Sequence, residues 1–272
     1  MLKRLLFMIA ALTFMASCQS KELIRPGDTL EIAYDKALNQ FNNENYSDAA
    51  RAFETVISIG RGTDIGQDAQ FFLAESHFRN RSYLIAASEF SRYVQFHSNS
   101  PRRQEAEFKE AISYYHMSPR YRLDQSNTLT AIEKFRLYNV RYPNSERAGE
   151  VAEYIGELRT KLAQRDFSAA EFYMRTTRYN SAAIYFGLVL DQYPETHWAE
   201  RAVMRQMEAY ILFAENSVQA RQEERFRKAL DSYSTYLQLF PQGESRSRVE
   251  ELYDRANRGL NTALRRSEVA EG

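Results

Sequence analysis

Residues 182–194 read AAIYFGLVLDQYP. Ala182 precedes Phe186 by four positions, which puts a small and an aromatic side chain on one face of a helix. Tyr193 and Pro194 follow Phe186 at seven and eight positions. Proline cannot continue a helix and biases the residue before it out of the helical region, so the stretch predicts a helix with a fixed stop. The pattern recurs in both directions along the chain. Ala131 and Phe135 run to Tyr142-Pro143, and Ala229 and Tyr233 run to Phe240-Pro241. Ala49 with Phe53 and Ala86 with Phe90 carry the first half of it, and Pro101 stands beyond the second of these pairs.

Ahead of each such helix lies another with one apolar face, for instance Tyr34, Ala37, Leu38 and Phe41, or Val151, Ile155, Leu158 and Leu162. Ala37, Ala74 and Ala170 let paired helices approach closely. The unit is therefore a helix hairpin with small-to-large packing and a terminal proline, the tetratricopeptide pattern. The aromatic residues of successive units stand 37 to 51 positions apart, against a usual period of about 34. The excess predicts longer helices and an insertion, Tyr115 to Ser126, at the start of the third repeat. One hairpin cannot bury its apolar faces, so stacking supplies the core and a terminal helix closes it. Val249, Leu252, Tyr253, Ala256, Leu260, Ala263 and Leu264 form the stripe of such a cap between Glu244 and Arg266. The expected fold is all-α: a right-handed superhelical stack of about five tetratricopeptide-like hairpins with a C-terminal capping helix. The expected division is a signal peptide over 1–17, a lipidated tether over 18–28, a repeat solenoid over 29–266 and a disordered tail over 267–272.

Composition agrees with helices. The 272 residues hold only 10 Gly and 6 Pro, fewer than a turn-rich sandwich or barrel needs. Lys+Arg and Asp+Glu balance at 36 each, which gives no electrostatic case for nucleic acid. Residues 1–17 contain Lys3 and Arg4 and no acid, so the remainder carries two more acids than bases.

Those residues read as a targeting segment: Lys3-Arg4, an apolar run from Leu5 to Met15 broken only by Thr13, then Ala16-Ser17. The run is too short for a permanent span of about 20 residues. The chain's single cysteine, Cys18, follows directly, and Met15-Ala16-Ser17-Cys18 resembles a bacterial lipobox, whose cysteine is acylated and becomes the first mature residue. Several acyl chains hold firmly where one holds marginally, so Cys18 is the expected membrane anchor. By resemblance to bacterial lipoproteins, Gln19 directs the chain to the outer membrane, facing the periplasm.

Sites for chemistry are not assembled. Gly60 to Gly66 lies between two helices without the strand that a dinucleotide loop requires, and its glycines serve helix ends. His77, His97, His116 and His197 are dispersed, with no second ligand at metal spacing. No nucleophile elbow or phosphate loop occurs. The expectation is no enzyme, no cofactor and no metal. What does stand out is 17 Phe, 18 Tyr and 29 Arg against 7 Lys, the residue types that binding surfaces favour.

Three stretches sharpen this. Ser118-Pro119 and Leu123-Asp124-Gln125 lead through Thr130 to Phe135 into Arg141-Tyr142-Pro143-Asn144-Ser145. Leu158 to Leu162 leads to Asp166 through Tyr173, and Tyr179 to Phe186 leads to Asp191-Gln192-Tyr193-Pro194-Glu195-Thr196. Together these resemble the BamD family, tetratricopeptide lipoproteins of the outer-membrane β-barrel assembly machine. The resemblance implies an adaptor without enzymatic activity. Its implied partners are the POTRA region of a BamA-like barrel protein, other lipoproteins of the machine, and unfolded β-barrel precursors. It places client contacts in the N-terminal repeats, near Tyr34, Phe41, Phe71, Phe78 and Arg79, and barrel-protein docking in the C-terminal ones. Client strands of that family end in an aromatic residue and a free carboxylate, which an aromatic groove with Arg79 or Arg175 at its edge would engage. Replacing Phe71 and Phe78 by Ala is then expected to weaken precursor binding without loss of helicity. Three other readings stay open: a periplasmic repeat lipoprotein of cell-envelope division or polysaccharide uptake, a helical hydrolase with a site of dispersed Glu and His, and a cytoplasmic tetratricopeptide scaffold, which fails if Cys18 is acylated.

Overall fold

A computed structural model describes residues 23–271, and among these it contains eleven α-helices and no strand. Cys18 and the targeting segment lie outside the described residues. The chain is all-α, and its helices follow one another as five tetratricopeptide-like pairs and a capping helix. They belong to two compact units, one through Ser113 and one from Tyr114.

The first unit holds α1 (Leu30–Asn42), α2 (Tyr46–Ile59), α3 (Asp64–Arg79), α4 (Tyr83–Phe96) and most of α5 (Arg103–Met117). Each of α2, α3 and α4 packs on the helix before it. Ala33, Ala37, Ala49, Phe53, Val56, Ala69 and Leu73 form one core cluster, and Phe71, Ala74, Ala86, Phe90, Tyr93 and Ala106 another. Leu23 and Ile24, expected within a patternless tether, pack against the first cluster. The chain is pinned there by Asp28, which accepts from the Arg25 amide (2.7 Å) and from Lys36 Nζ (2.6 Å). Between α2 and α3 the glycine-rich stretch is a helix-to-helix turn. Thr63 Oγ1 caps α3 by accepting from the Gly66 amide at 3.0 Å. A Cβ on Gly66 would sit 2.1 Å from the Gly60 carbonyl oxygen, so the turn closes only with glycine.

The second unit holds α6 (Ser126–Arg141), α7 (Ala148–Arg175), α8 (Tyr179–Gln192), α9 (His197–Glu215), α10 (Gln219–Leu239) and α11 (Arg246–Glu271). Val203, Met207, Ile211, Phe226, Tyr236, Val249 and Leu252 form the core between α9, α10 and α11. Val249, Leu252, Ala256, Leu260 and Ala263 are buried, as the cap stripe requires. Helix α11 runs on through Glu271, so the segment expected as a disordered tail is helical over 267–271. No Gly or Pro interrupts it between Leu260 and Glu271.

The repeat pattern is physically explicit. Ala49, Ala86, Ala131, Ala182 and Ala229 are fully buried, and so are Phe53, Phe90, Phe135 and Phe186. The fifth aromatic, Tyr233, is only half-buried; its hydroxyl donates to Glu250 Oε2 at 2.9 Å. Three residues after each aromatic stand Val56, Tyr93, Tyr138, Val189 and Tyr236, all buried, whose carbonyls accept the amide that ends the helix. The residues before Pro143, Pro194 and Pro241 take φ from −127° to −133°, outside the helical region, as the proline bias demands.

At three hairpin turns the chain closes with a left-handed residue that is not glycine: Glu44, Arg81 and Thr177, at φ 57° to 62°. Their amides, and those of Asn45, Ser82 and Arg178, bond back three and five residues to the last turn of the helix, the Schellman arrangement. Tyr46, Tyr83 and Tyr179 then open the next helix. The insertion lies along the chain between the end of α5 at Met117 and the start of α6 at Ser126. Gln125, buried, spans the inserted loop by donating to the carbonyls of Arg120 and Leu123 (both 2.9 Å) and accepting from Thr128 Oγ1 (2.7 Å).

Candidate functional site

In the first unit α1 carries Tyr34 and Phe41, and α3 carries Phe71, Phe78 and Arg79. The structure sorts these five into different roles. Phe71 is 3% exposed and packs edge-on against Phe90 (5.8 Å) and Tyr93 (5.5 Å). It is a core residue, not a groove residue, which corrects the expectation from sequence. Truncating it would cost about 3–5 kcal/mol of stability, so its replacement by Ala disturbs folding before it reports on binding.

Phe41 and Phe78 are half-buried and occupy equivalent places in successive hairpins. Each meets the tyrosine five residues on, Tyr46 at 5.5 Å and Tyr83 at 5.6 Å. Met174, five before Tyr179, takes the same position in the fourth hairpin. The inner faces of Phe41 and Phe78 are thus committed to packing, leaving only their edges accessible. Tyr34 is half-buried against Phe53 (6.2 Å). Its pKa is raised, mainly by burial and then by nearby Asp68, with Arg102 opposing. Arg79 is the most open of the five, its side chain 54% exposed.

Two cations not singled out in the sequence complete the face. Arg102 and Lys109 stand seven residues apart, as Phe71 and Phe78 do, and each cation covers the ring at its own level. The Arg102 guanidinium is 5.0 Å from the Phe71 centroid and 5.1 Å from that of Phe72. Lys109 Nζ is 4.5 Å from the Phe78 centroid. Such contacts contribute about 0.5–2 kcal/mol each. The matched seven-residue spacing was present in the sequence, but nothing there says which helix α3 faces.

One buried carboxylate joins Arg79 to Lys109. Glu75 accepts from Arg79 Nε at 2.8 Å, and Lys109 Nζ lies 3.1 Å from Oε1 and 3.0 Å from Oε2. Its hydrogen bond holds the Arg79 pKa above the ordinary value. Arg102 also pairs with Asp68 at 3.4 Å. The accessible result is a strip of Tyr34, Asp68, Arg102 and Arg79 edged by aromatic rings. It offers donors, acceptors and apolar edges to an extended chain, and it holds no nucleophile with a base beside it. Arg175, the other arginine considered for a carboxylate, ends α7 in the second unit.

Among the described residues no three His, Cys, Asp or Glu side chains gather as metal ligands. His97 instead bonds Gln70 Oε1 through Nε2 at 2.8 Å and lies against Tyr93; burial lowers its pKa. No described helix is long and apolar enough to cross a membrane.

A family model described as YfiO, outer membrane lipoprotein, matches residues 27–226. A relative from Caulobacter vibrioides named outer membrane protein assembly factor BamD is 22% identical over 74% of this chain and 68% of its own length. Relatives of the same name from Rickettsia prowazekii and Xylella fastidiosa are 23% and 24% identical, over 73% and 76% of this chain and 79% and 75% of theirs. A solved tetratricopeptide repeat protein from Bacteroides fragilis aligns with TM-score 0.45 at 13% identity, covering 84% of this chain and 98% of that one.

Proposed function

Because the chain belongs to the YfiO family of outer membrane lipoproteins, we propose that it is a periplasm-facing adaptor of outer-membrane β-barrel assembly. In this reading it is a helical-repeat scaffold rather than an enzyme. It binds the POTRA region of a BamA-like barrel protein, with other lipoproteins of the machine, and hands on unfolded barrel precursors. Cys18 carries the acyl anchor after removal of residues 1–17, which accounts for the lipobox-like Met15 to Cys18.

The observation that carries the reading is the family match over residues 27–226, which takes in the first four helix pairs and part of the fifth. The first unit adds a physical means. Tyr34, Asp68, Arg79 and Arg102 supply side-chain hydrogen bonds beside aromatic edges, a surface suited to an extended segment whose own backbone groups still lack partners. Client capture is assigned to these residues, with the edges of Phe41 and Phe78 at the margin, and barrel-protein docking to the C-terminal repeats.

The test is recovery of the full lipidated chain from its own membranes in mild detergent by an affinity tag. The expected result is a large barrel protein with POTRA domains in near-stoichiometric yield. Recovery of division or polysaccharide-uptake proteins in its place would overturn the reading.

A further inference from the structure

The second unit contains a cavity of about 690 Å³ between the middle of α7, the start of α9 and the inserted loop near Tyr121. It is an open depression rather than an enclosed cavity, large enough to seat a pair of side chains. Two features set it apart: aromatic walls and uncompensated positive charge.

Phe167 and Trp198 form one wall, with ring centroids 4.9 Å apart. The Arg201 guanidinium lies 5.2 Å from the Trp198 centroid and 5.9 Å from that of Phe167. A guanidinium set against aromatic rings keeps N–H groups free at its edge, and two parallel N–H groups match a carboxylate. Arg122 and Arg175 line the same cavity. The local carboxylates are already taken. Arg205 grips both oxygens of Glu171, at 2.6 and 2.8 Å, and Arg165 holds Asp166 at 2.7 Å. Among the described residues Arg122, Arg175 and Arg201 have no carboxylate partner. All three are exposed and Arg122 also donates to the Tyr121 hydroxyl at 2.9 Å, so together they leave local positive charge at the rim that an anion would complement.

We propose that this cavity receives an acidic side chain next to an aromatic one in an extended segment of a partner protein. The carboxylate takes the edge of Arg201 with Arg175 or Arg122, and the neighbouring ring packs on the edge of half-buried Trp198, which is backed by buried Phe167. An isolated phosphate would leave the aromatic wall unused. Single-stranded nucleic acid would need a basic track for its backbone beyond this cavity, which the balanced charge does not supply. The site does not depend on the proposed role in barrel assembly, and it is tested without any component of that machinery.

Trp198 is the chain's only tryptophan, so its emission reports on this wall alone. The full mature chain in detergent is titrated with a capped hexapeptide, Ser-Gly-Glu-Phe-Gly-Ser. The expected result is a saturable change in Trp198 emission, with affinity about tenfold lower when the peptide's Glu becomes Gln or its Phe becomes Ala. Arg201→Gln should weaken binding similarly. Because Arg201 also packs on the aromatic wall, Arg175→Gln, at an exposed helix end, serves as the second variant, with circular dichroism confirming unchanged helicity. No saturable change, equal affinity for the Gln peptide, or tighter binding of inorganic phosphate or a thymidine oligonucleotide would overturn the proposal.

Discussion

At the scale of single residues, the chain uses a few side chains to end and restart helices. Thr177 is the least comfortable of them, a β-branched residue at φ 57°. A left-handed conformation costs an L-residue about 1–2 kcal/mol, and glycine avoids that cost while losing part of it to greater freedom when unfolded. Thr177→Gly is expected to raise stability by about 1 kcal/mol in chemical denaturation, with the denaturant slope unchanged. Glu200 does a different job in the fifth repeat. Where Tyr93 and Tyr138 bond to Ser100 and Ser145, at 2.6 and 2.8 Å, Tyr236 bonds to Glu200 Oε1 at 2.9 Å, and that oxygen also accepts the Ser245 amide at 2.7 Å. Burial works to raise the Glu200 pKa, but the bonds from Ser245 and Tyr236 outweigh it and leave it lowered. A lowered carboxylate contributes stability that is present above its ordinary value near 4.5 and is lost as pH falls through the folded value. Glu200→Gln should therefore reduce stability at neutral pH and flatten this part of the acid unfolding limb, as followed by circular dichroism from pH 7 to pH 3. The buried alanine and phenylalanine positions behind these contacts were legible from spacing alone. The cation over each ring was not, because Arg102 and Phe71 meet only through tertiary packing.

At the scale of elements, the three proline-marked stops and the number of hairpins followed from Ala, aromatic and Pro positions, since each acts within its own helix. What escaped depended on neighbours. Phe71 and Phe78 share one spacing and one composition, yet the first is a core residue and the second half-buried. Nothing within α3 distinguishes the side facing α4 from the side left open. The end of α11 escaped for another reason: the apolar stripe stops near Leu264, but the helix continues on backbone hydrogen bonding and good helix formers. Gly259 in that helix is a packing device. A Cβ there would sit 2.3 Å from Cζ of Phe226, whose ring is buried. Gly259→Ala would gain up to about 1 kcal/mol of helix propensity in isolation. Overpacking against a rigid buried ring costs about 1–3 kcal/mol, so the expected net result is a lower thermal midpoint. A raised midpoint would mean that α11 shifts freely on α10.

At the scale of the whole molecule, the chain puts its chemistry into surfaces rather than a reaction centre. Paired guanidinium and carboxylate groups rim aromatic cores in both units, and the sole cysteine, Cys18, outside the described residues, is the proposed acyl anchor. In the proposed role, the first unit's open strip meets barrel precursors on their way to insertion. The most direct measurement places a photo-crosslinking side chain at Arg79, and separately at Tyr34, in the full lipidated protein in intact cells, with newly exported chains pulse-labelled. The expected result is adducts to unfolded outer-membrane β-barrel chains that appear in the pulse and clear during the chase. Adducts only to chains other than barrel precursors, or none at either position while the protein still recovers its barrel partner, would contradict it.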